Sequence, residues 1–278
     1  MDWLSALILG IVQGATEYLP VSSSGHLAIF RDLLGVDLPA DQALQFDIIV
    51  HFATVLSTIV ILLPLFKRLV KAFFSMRNTE DSRYVWKILL SCIPVGIVGL
   101  FFKDTVEEVF GEGLTVVGIC LNATACLLAF AYFSSFNRST GKVKPDTAGH
   151  KISWVDAFVI GCGQALAVLP GLSRSGTTIA TGILLGDRRS EVAQFSFIMV
   201  ILPIIGETLL DLAKMISPAA GATAGAGVGA TAMIIGFVAA FLVGCAACKW
   251  MIALVKKGKL IWFAVYCLII GIVCILAA

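Results

Sequence analysis

Charge is what this chain of 278 residues has least of. Asp, Glu, Lys and Arg together make only 14% of it, where a soluble domain carries about 25%. Hydrophobic residues make 59%, and the mean hydropathy is +0.97. A soluble globule is excluded, which leaves a polytopic membrane protein. A basic segment ahead of the first apolar run is also missing. The chain opens with Asp2, and Gln13 and Glu17 cut across that run, so no removable signal peptide is expected. A disulfide framework is lacking too. The eight cysteines lie mostly inside apolar segments, where a buried thiol behaves as a small hydrophobe. Cys245 and Cys248 form a CxxC with no other ligand nearby in sequence, so neither redox nor zinc chemistry is expected of them. The small net charge of +2 says little, and nothing points to nucleic acid.

What is present is a series of apolar runs, some of them too short to cross. A spanning helix needs about 20 mostly apolar residues. Residues 3–18 form one run, but after a polar break only His26 to Leu34 remain before Gly35. Nine residues of helix rise about 13 Å, less than half of the hydrocarbon thickness. Segment 3–34 is therefore expected to enter, turn at depth and return. Full spans are expected at Gln45–Phe66, Val85–Phe102 and Leu114–Ser134, with a polar stretch at Lys67–Tyr84 and an acidic loop at 103–113. The pattern then restarts. Trp154–Leu169 is apolar, Pro170–Thr177 is a polar break and Thr178–Leu185 is too short to cross. Spans are expected at Gln194–Lys214, Thr231–Trp250 and Leu260–Ala278, the first two separated by a Gly/Ala-rich loop at 218–230.

The restart is a repeat. At an offset of 151, Trp3, Ala6, Gly10 and Gln13 match Trp154, Ala157, Gly161 and Gln164, and Ser22, Ser24, Gly25 and Gly35 match Ser173, Ser175, Gly176 and Gly186. The expected fold is all-α: residues 1–136 as one repeat, 137–151 as a linker and 152–278 as a second repeat. Each repeat holds one re-entrant helix–turn–helix and three spans, giving six spans in all. Three is odd, so the two repeats are inverted, an architecture whose binding site lies at the repeat interface near the midplane. Placing loops 67–87, 138–151, 186–191 and 249–259 inside puts sixteen of the 20 Lys and Arg there. The linker is then cytoplasmic and both termini are outside.

The two breaks, Gln13–His26 (QGATEYLPVSSSGH) and Gln164–Thr178, hold residues that are costly in hydrocarbon and usually functional there. A returning half-helix points its amino terminus at the membrane centre, where free N–H groups favour an anion. Ser22, Ser24, Ser173 and Ser175 can cap those helices or donate to a ligand, and Gly25 and Gly176 would let backbone approach it. Arg174 adds a planar cation suited to phosphate oxygens. Glu17, with Gln13 one turn away, can help to hold a divalent metal. His26 follows three hydroxyls, as a base beside an alcohol nucleophile would. Ser23 is the favoured nucleophile because it aligns with Arg174, one half supplying the oxygen and the other the cation. Plainer readings exist: serines serving only as N-caps, a structural histidine, a buried Glu17–Arg174 ion pair. Asp47, His51, Glu207 and Asp211 lie near span ends, where solvated roles are as natural as functional ones.

These stretches resemble a known family. QGATEYLPVSSSGH is similar to the (Glu/Gln)-x-x-x-Glu and Pro-x-Ser-Ser-x-Gly-His region of the bacterial undecaprenyl-diphosphate phosphatases, the BacA/UppP family. PGLSRSGTT, Pro170 to Thr178, resembles the same family's Pro-Gly-x-Ser-Arg-Ser-x-x-Thr motif, and the likeness covers essentially the whole chain. The resemblance implies hydrolysis of undecaprenyl diphosphate to the monophosphate and inorganic phosphate, which recycles the lipid carrier of cell-wall synthesis and confers bacitracin resistance. It implies Glu17, Ser23, His26 and Arg174 as catalytic groups, Ser173, Ser175 and Thr178 as phosphate-binding residues, and Gln13 with Glu17 at a divalent cation, magnesium or calcium. It also implies the bacterial inner membrane, with the site open to the periplasmic side. Position 13 is Gln where the most acidic form of the motif has Glu, so Glu17 supplies the only charge there. A lipid-phosphate flippase is the alternative, because inverted repeats around a midplane anion site also describe a carrier. Homodimerisation is left open.

Overall fold

The computed structural model describes residues 1–75, 77–102, 113–137, 140, 142–169, 171–216 and 228–278, with the backbone alone at 40, 41 and 211–216. The acidic loop expected at 103–113 and the Gly/Ala-rich loop expected at 218–230 fall almost wholly outside the described residues, as do Arg138 and Pro170. The chain is an all-α polytopic membrane protein. Helix α1 (Trp3–Thr16) starts on Asp2, whose carboxylate accepts the Ser5 N–H at 2.7 Å. Its 14 residues rise about 21 Å, and the 11 residues of α2 (Ser23–Leu33) rise about 16 Å, so neither crosses a core about 30 Å thick. Then come α3 (Ala40–Ile61), α4 (Leu63–Ser75), α5 (Glu80–Phe101) and α6 (Leu114–Ser134). A two-stranded hairpin follows, β1 (Phe136–Asn137) with β2 (Lys142–Val143). Next are α7 (Trp154–Leu166), opened by a Ser153–Asp156 capping box, and α8 (Arg174–Leu185), closed by Gly186 at φ 95°. The chain ends with α9 (Arg189–Met199), α10 (Ile201–Ile216), α11 (Ala230–Lys256) and α12 (Ile261–Ala277).

Among the described residues, five stretches are long and apolar enough to cross a membrane: Gln42–Ile61, Glu80–Phe101, Leu114–Ser134, Arg189–Leu210 and Ala230–Lys256. Helix α12, expected to be the sixth, has 17 residues. The first span ends sooner than expected. Instead of running to Phe66 it stops at Ile61, and the supposed polar stretch becomes the amphipathic α4, which buries Leu69 and Ala72 and exposes Lys67, Arg68 and Lys71. Pro64 explains the break. It has no N–H to give to the carbonyl four residues back and its ring crowds the preceding turn, yet it is tolerated within a first turn. Pro203 likewise lies in the first turn after a break, the one between α9 and α10.

The helices pair in an exchanged way. Helix α1 packs along α11, while α7, its counterpart by sequence, packs along α5; α6 packs against α12. Glycines set the first two contacts. A Cβ on Gly10 would lie 2.4 Å from the Gly236 carbonyl oxygen, and one on Gly161 would lie 2.4 Å from that of Ser91. Without side chains there, the backbones meet directly, as small residues allow between membrane helices. The shared Gly10/Gly161 match in the sequence is thus a shared packing device.

The four basic loops come together at one end. Lys151 pairs with Glu80, and Lys87 Nζ donates to the Ile152 carbonyl at 2.7 Å. Arg189 donates to the Lys144 carbonyl at 2.7 Å, and Gly258 packs closely on Val143. At the middle of the fold the turns of the two hairpins touch.

Candidate active site at the paired breaks

Glu17 caps the carboxy-terminal end of α1, its N–H still bonded to the Gln13 carbonyl at 3.0 Å. Next along the chain, Tyr18 fixes the turn: its ring is buried and its hydroxyl meets the Thr54 carbonyl at 2.6 Å and Thr58 Oγ1 at 2.9 Å on α3. The chain then reverses through Pro20 and Val21 to Ser22, whose φ of 69° is the one positive value outside glycine among the described residues. A side chain held in that region is strained, and such strain gathers at functional sites.

Helices α2 and α8 begin alike. Ser22 Oγ accepts the Gly25 N–H at 3.3 Å, and Ser173 Oγ accepts the Gly176 N–H at 3.1 Å. Ser22 and Ser24 hydroxyls lie 3.4 Å apart, and so do those of Ser173 and Ser175. Ser22 and Ser173 are therefore N-caps, whatever else they do. At Gly25 and Gly176 an added side chain would meet a neighbour. Val117 lies 3.0 Å from a Cβ built on Gly25, and Pro20 lies 3.1 Å from one on Gly176. The reason is that the two turns are pressed together: Ser175 Oγ donates to the Leu19 carbonyl at 3.2 Å, tying α8 to the first break. Thr178 donates back to the Arg174 carbonyl at 2.9 Å.

The reactive-looking groups meet at Glu17. Its Oε2 accepts from Ser23 Oγ at 2.7 Å and from Gln13 Nε2 at 2.9 Å. Arg174, from the first turn of α8, lines the same cavity as Glu17, together with Ser175, Thr178, Thr54, Thr58 and Ser196. One cavity thus joins the carboxylate of the first break to the guanidinium of the second. His26 does not join that cluster. Its Nδ1 is 2.8 Å from the Ser22 carbonyl and its Nε2 2.7 Å from the Tyr266 hydroxyl on α12. With Nδ1–H given to the carbonyl, Nε2 accepts from the tyrosine, so both ring nitrogens are engaged away from Ser23. The base expected at Ser23 was His26; the acceptor found there is Glu17.

Four residues of this region, His51, Asp47, Thr124 and Tyr266, carry little signal in sequence. His51 Nε2 lies 3.7 Å from Glu17 Oε2, while its Nδ1 bonds the Asp47 carbonyl at 2.8 Å. It had read as equally a span-end residue. Asp47 itself pairs with Arg31, tying α2 to α3. Thr124 Oγ1 receives the Ser173 N–H at 3.1 Å, and Tyr266 holds His26; both are single polar groups in apolar helices, with no motif around them. In the second repeat Gln164 stands where Gln13 does, but the position matching Glu17 is Val168, so only one half carries the carboxylate.

A family model described as bacitracin resistance protein BacA matches residues 6–273. The chain is 53% identical, over its whole length and 99% of the relative, to an undecaprenyl-diphosphatase of Bacteroides fragilis. It is 54% identical to that of Parabacteroides distasonis, over 99% of this chain and 98% of the relative. Likeness extends to archaea, with 35% identity to an undecaprenyl-diphosphatase of Methanobrevibacter smithii over 98% of the chain and 96% of the relative.

Proposed function

The chain belongs to the bacitracin resistance protein BacA family, and from that premise we infer that it hydrolyses undecaprenyl diphosphate to undecaprenyl phosphate and inorganic phosphate. It is a membrane-embedded phosphatase whose substrate is a lipid diphosphate. The flippase alternative draws no support from relatives named for the hydrolysis.

The observation that carries the site assignment is the single cavity shared by Glu17 and Arg174, with Ser23 bonded to the same carboxylate. In the proposed reaction Arg174 and the amino-terminal N–H groups of α2 and α8 bind the terminal phosphoryl group, chiefly by position and charge. Ser23 Oγ attacks its phosphorus as the anhydride bond to undecaprenyl phosphate breaks, and the Ser23 proton passes to Glu17 Oε2. Glu17 passes that proton to the departing undecaprenyl phosphate. The ionised carboxylate then takes a proton from water, whose oxygen attacks the phosphoserine phosphorus. As the P–O bond to Ser23 breaks, the proton returns to Ser23 Oγ and phosphate leaves. His26 acts as a positioning residue that holds the start of α2 through Ser22 and Tyr266. Ser24, Ser175 and Thr178 supply hydroxyls around the phosphate, and Ser22 and Ser173 fix the two helix starts that face it.

The residues present fit a divalent cation such as magnesium or calcium. Gln13 Oε1 is buried without a hydrogen-bond partner, one turn from the Glu17 carboxylate, and hard cations take oxygen ligands of both kinds. Glu17 and Gln13 would hold the ion, which supplies charge to offset the diphosphate. We further read the fold as two inverted repeats with six spans, α12 being the sixth; the exchanged pairing of α1 with α11 and α7 with α5 supports a two-fold relation. Basic loops gathered at one end support a cytoplasmic face there and a site reached from the periplasmic side of the inner membrane.

The test is phosphate release from undecaprenyl diphosphate by the detergent-purified protein, with Mg2+ or Ca2+ and with chelator. Release that requires the cation and disappears in Arg174→Ala supports the reading. Release untouched by Arg174→Ala would remove the second break from the site.

A further inference from the structure

A second cluster of ionisable groups lies away from the paired breaks, at the end of the fold that gathers the basic loops. His150 closes the linker, Asp156 sits in the first turn of α7, and Asp187 lies in the turn between α8 and α9. Among the described residues these three are the one group of His, Cys, Asp or Glu whose ligand atoms all fall within 4.8 Å of one another.

Asp187 is the decisive member. Its side chain is fully buried, and neither carboxylate oxygen has a hydrogen-bond partner. A buried carboxylate left so is costly unless something positive is added. Among the described residues its one ion-pair partner is the imidazole, with Nδ1 at 3.1 Å from Asp187 and 3.8 Å from Asp156. The adjacent arginines are turned elsewhere. Arg188 donates to the Gly149 carbonyl at 3.1 Å and pairs with Glu191, and Arg189 donates to the Lys144 carbonyl and lies by Asp146. Even a protonated His150 leaves two carboxylates facing one positive charge.

The backbone is built to hold these groups in place. His150 N–H bonds the Gly186 carbonyl at 3.1 Å, and Arg188 N–H bonds the His150 carbonyl at 2.9 Å, so the linker and the turn pair like short strands. Asp156 Oδ2 is held by the Ser153 N–H at 2.7 Å in the capping box. His150 Nε2 lies 3.2 Å from the Leu185 carbonyl and Nδ1 3.1 Å from the Lys151 carbonyl; with Nε2–H given to Leu185, Nδ1 would be the nitrogen left to a metal. Metal-ligating histidines are commonly oriented in this way.

We propose that His150, Asp156 and Asp187 form a structural site for a first-row divalent cation such as Zn2+ or Mn2+, clasping the linker to the start of α7 and the end of α8. One imidazole and two carboxylates suit such ions better than Mg2+ or Ca2+, which prefer oxygen alone. The ion fixes the far end of the helix that carries Arg174, about 18 Å from that residue by helix rise over its 12 residues. Binding replaces protons, so affinity rises with pH. In keeping with this, burial and the neighbouring Asp156 carboxylate push the Asp187 carboxyl up to about 7 when no ion is present.

The test uses full-length, tag-free protein in detergent, stripped with chelator and titrated with Co2+, read by visible absorption, and then with Zn2+ in competition. The expected result is one tight equivalent per chain, weakened at least about tenfold by Asp187→Asn and by His150→Gln and left in place by Glu17→Gln. If Asp187→Asn does not fold, His150→Gln carries the test, since that side chain is 56% exposed. Absence of a tight equivalent in the wild type, wild-type affinity in His150→Gln, or loss of binding in Glu17→Gln alone would overturn the proposal. The last result would place the ion at the active site instead.

Discussion

The bond from Ser23 Oγ to Glu17 Oε2, 2.7 Å long, makes a quantitative demand on kinetics. If serine and carboxylate act as nucleophile and base of one step, neither works without the other. Ser23→Ala removes the attacking oxygen, and Glu17→Gln keeps the shape but cannot take the proton. Each single change is expected to lower kcat by about 10^2–10^4-fold, which is about 2.7–5.4 kcal/mol in the barrier at about 1.36 kcal/mol per tenfold. Independent contributions would multiply to about 10^4–10^8-fold in the double variant. A pair acting as a unit instead leaves the double variant near the worse single one. The assay is phosphate release from undecaprenyl diphosphate in detergent, with kcat and KM measured for all four proteins. It is run at saturating Mg2+ or Ca2+, because Glu17→Gln also weakens a cation held there. A double variant at the product of the singles, or Ser23→Ala turning over near the wild-type rate, would refute the coupling.

Other outcomes follow from the same geometry. Arg174→Lys keeps a charge but loses the planar fork, and Arg174→Ala loses both; kcat is expected to fall by about 10^2–10^3-fold in the alanine variant and less in the lysine one. Tyr266→Phe strands the buried His26 Nε2, so thermal unfolding should show a loss of about 1–3 kcal/mol with kcat nearly kept; a collapse of kcat at unchanged stability would make His26 catalytic after all. Gly161→Leu drives a side chain into the Ser91 carbonyl and should abolish folded protein on size exclusion, whereas Gly96→Ala, with nothing within 4 Å, should express normally. In chelator, the folded Asp187 carboxyl at about 7 binds its proton where the unfolded one, near 3.8, has lost it. Stability from that group is therefore lost as pH rises towards and through about 7, with His150, Asp156 and Glu191 as the facing groups, and Asp187→Asn should flatten the pH dependence of Tm.

Much of this was written in the chain at the level of segments. The lengths of the apolar runs and the breaks at Glu17–His26 and Pro170–Thr177 mark two hairpins too short to cross, because a helix rises a fixed amount per residue. The repeat offset also singled out Gly10 and Gly161, although their task, admitting a neighbour's backbone, shows only in three dimensions. The first span ends at Ile61 and not at Phe66, because apolar content alone hides the break ahead of Pro64, and the same holds for the break at Val200 inside the span Arg189–Leu210. The partner of Ser23 was not legible. His26 is three residues from Ser23 and Glu17 six, yet the reversal at Ser22 turns the serine to the carboxylate and the imidazole to Tyr266. His51 lies near a span end in sequence, and only the fold places α3 beside Glu17.

The most direct test of the account is a rapid-quench turnover of undecaprenyl diphosphate labelled in its terminal phosphate. The account predicts transient label on the peptide that contains Ser23, absent from Ser23→Ala. Full turnover with no labelled protein at any time, together with 18O from water entering phosphate in a single turnover of Ser23→Ala, would contradict it.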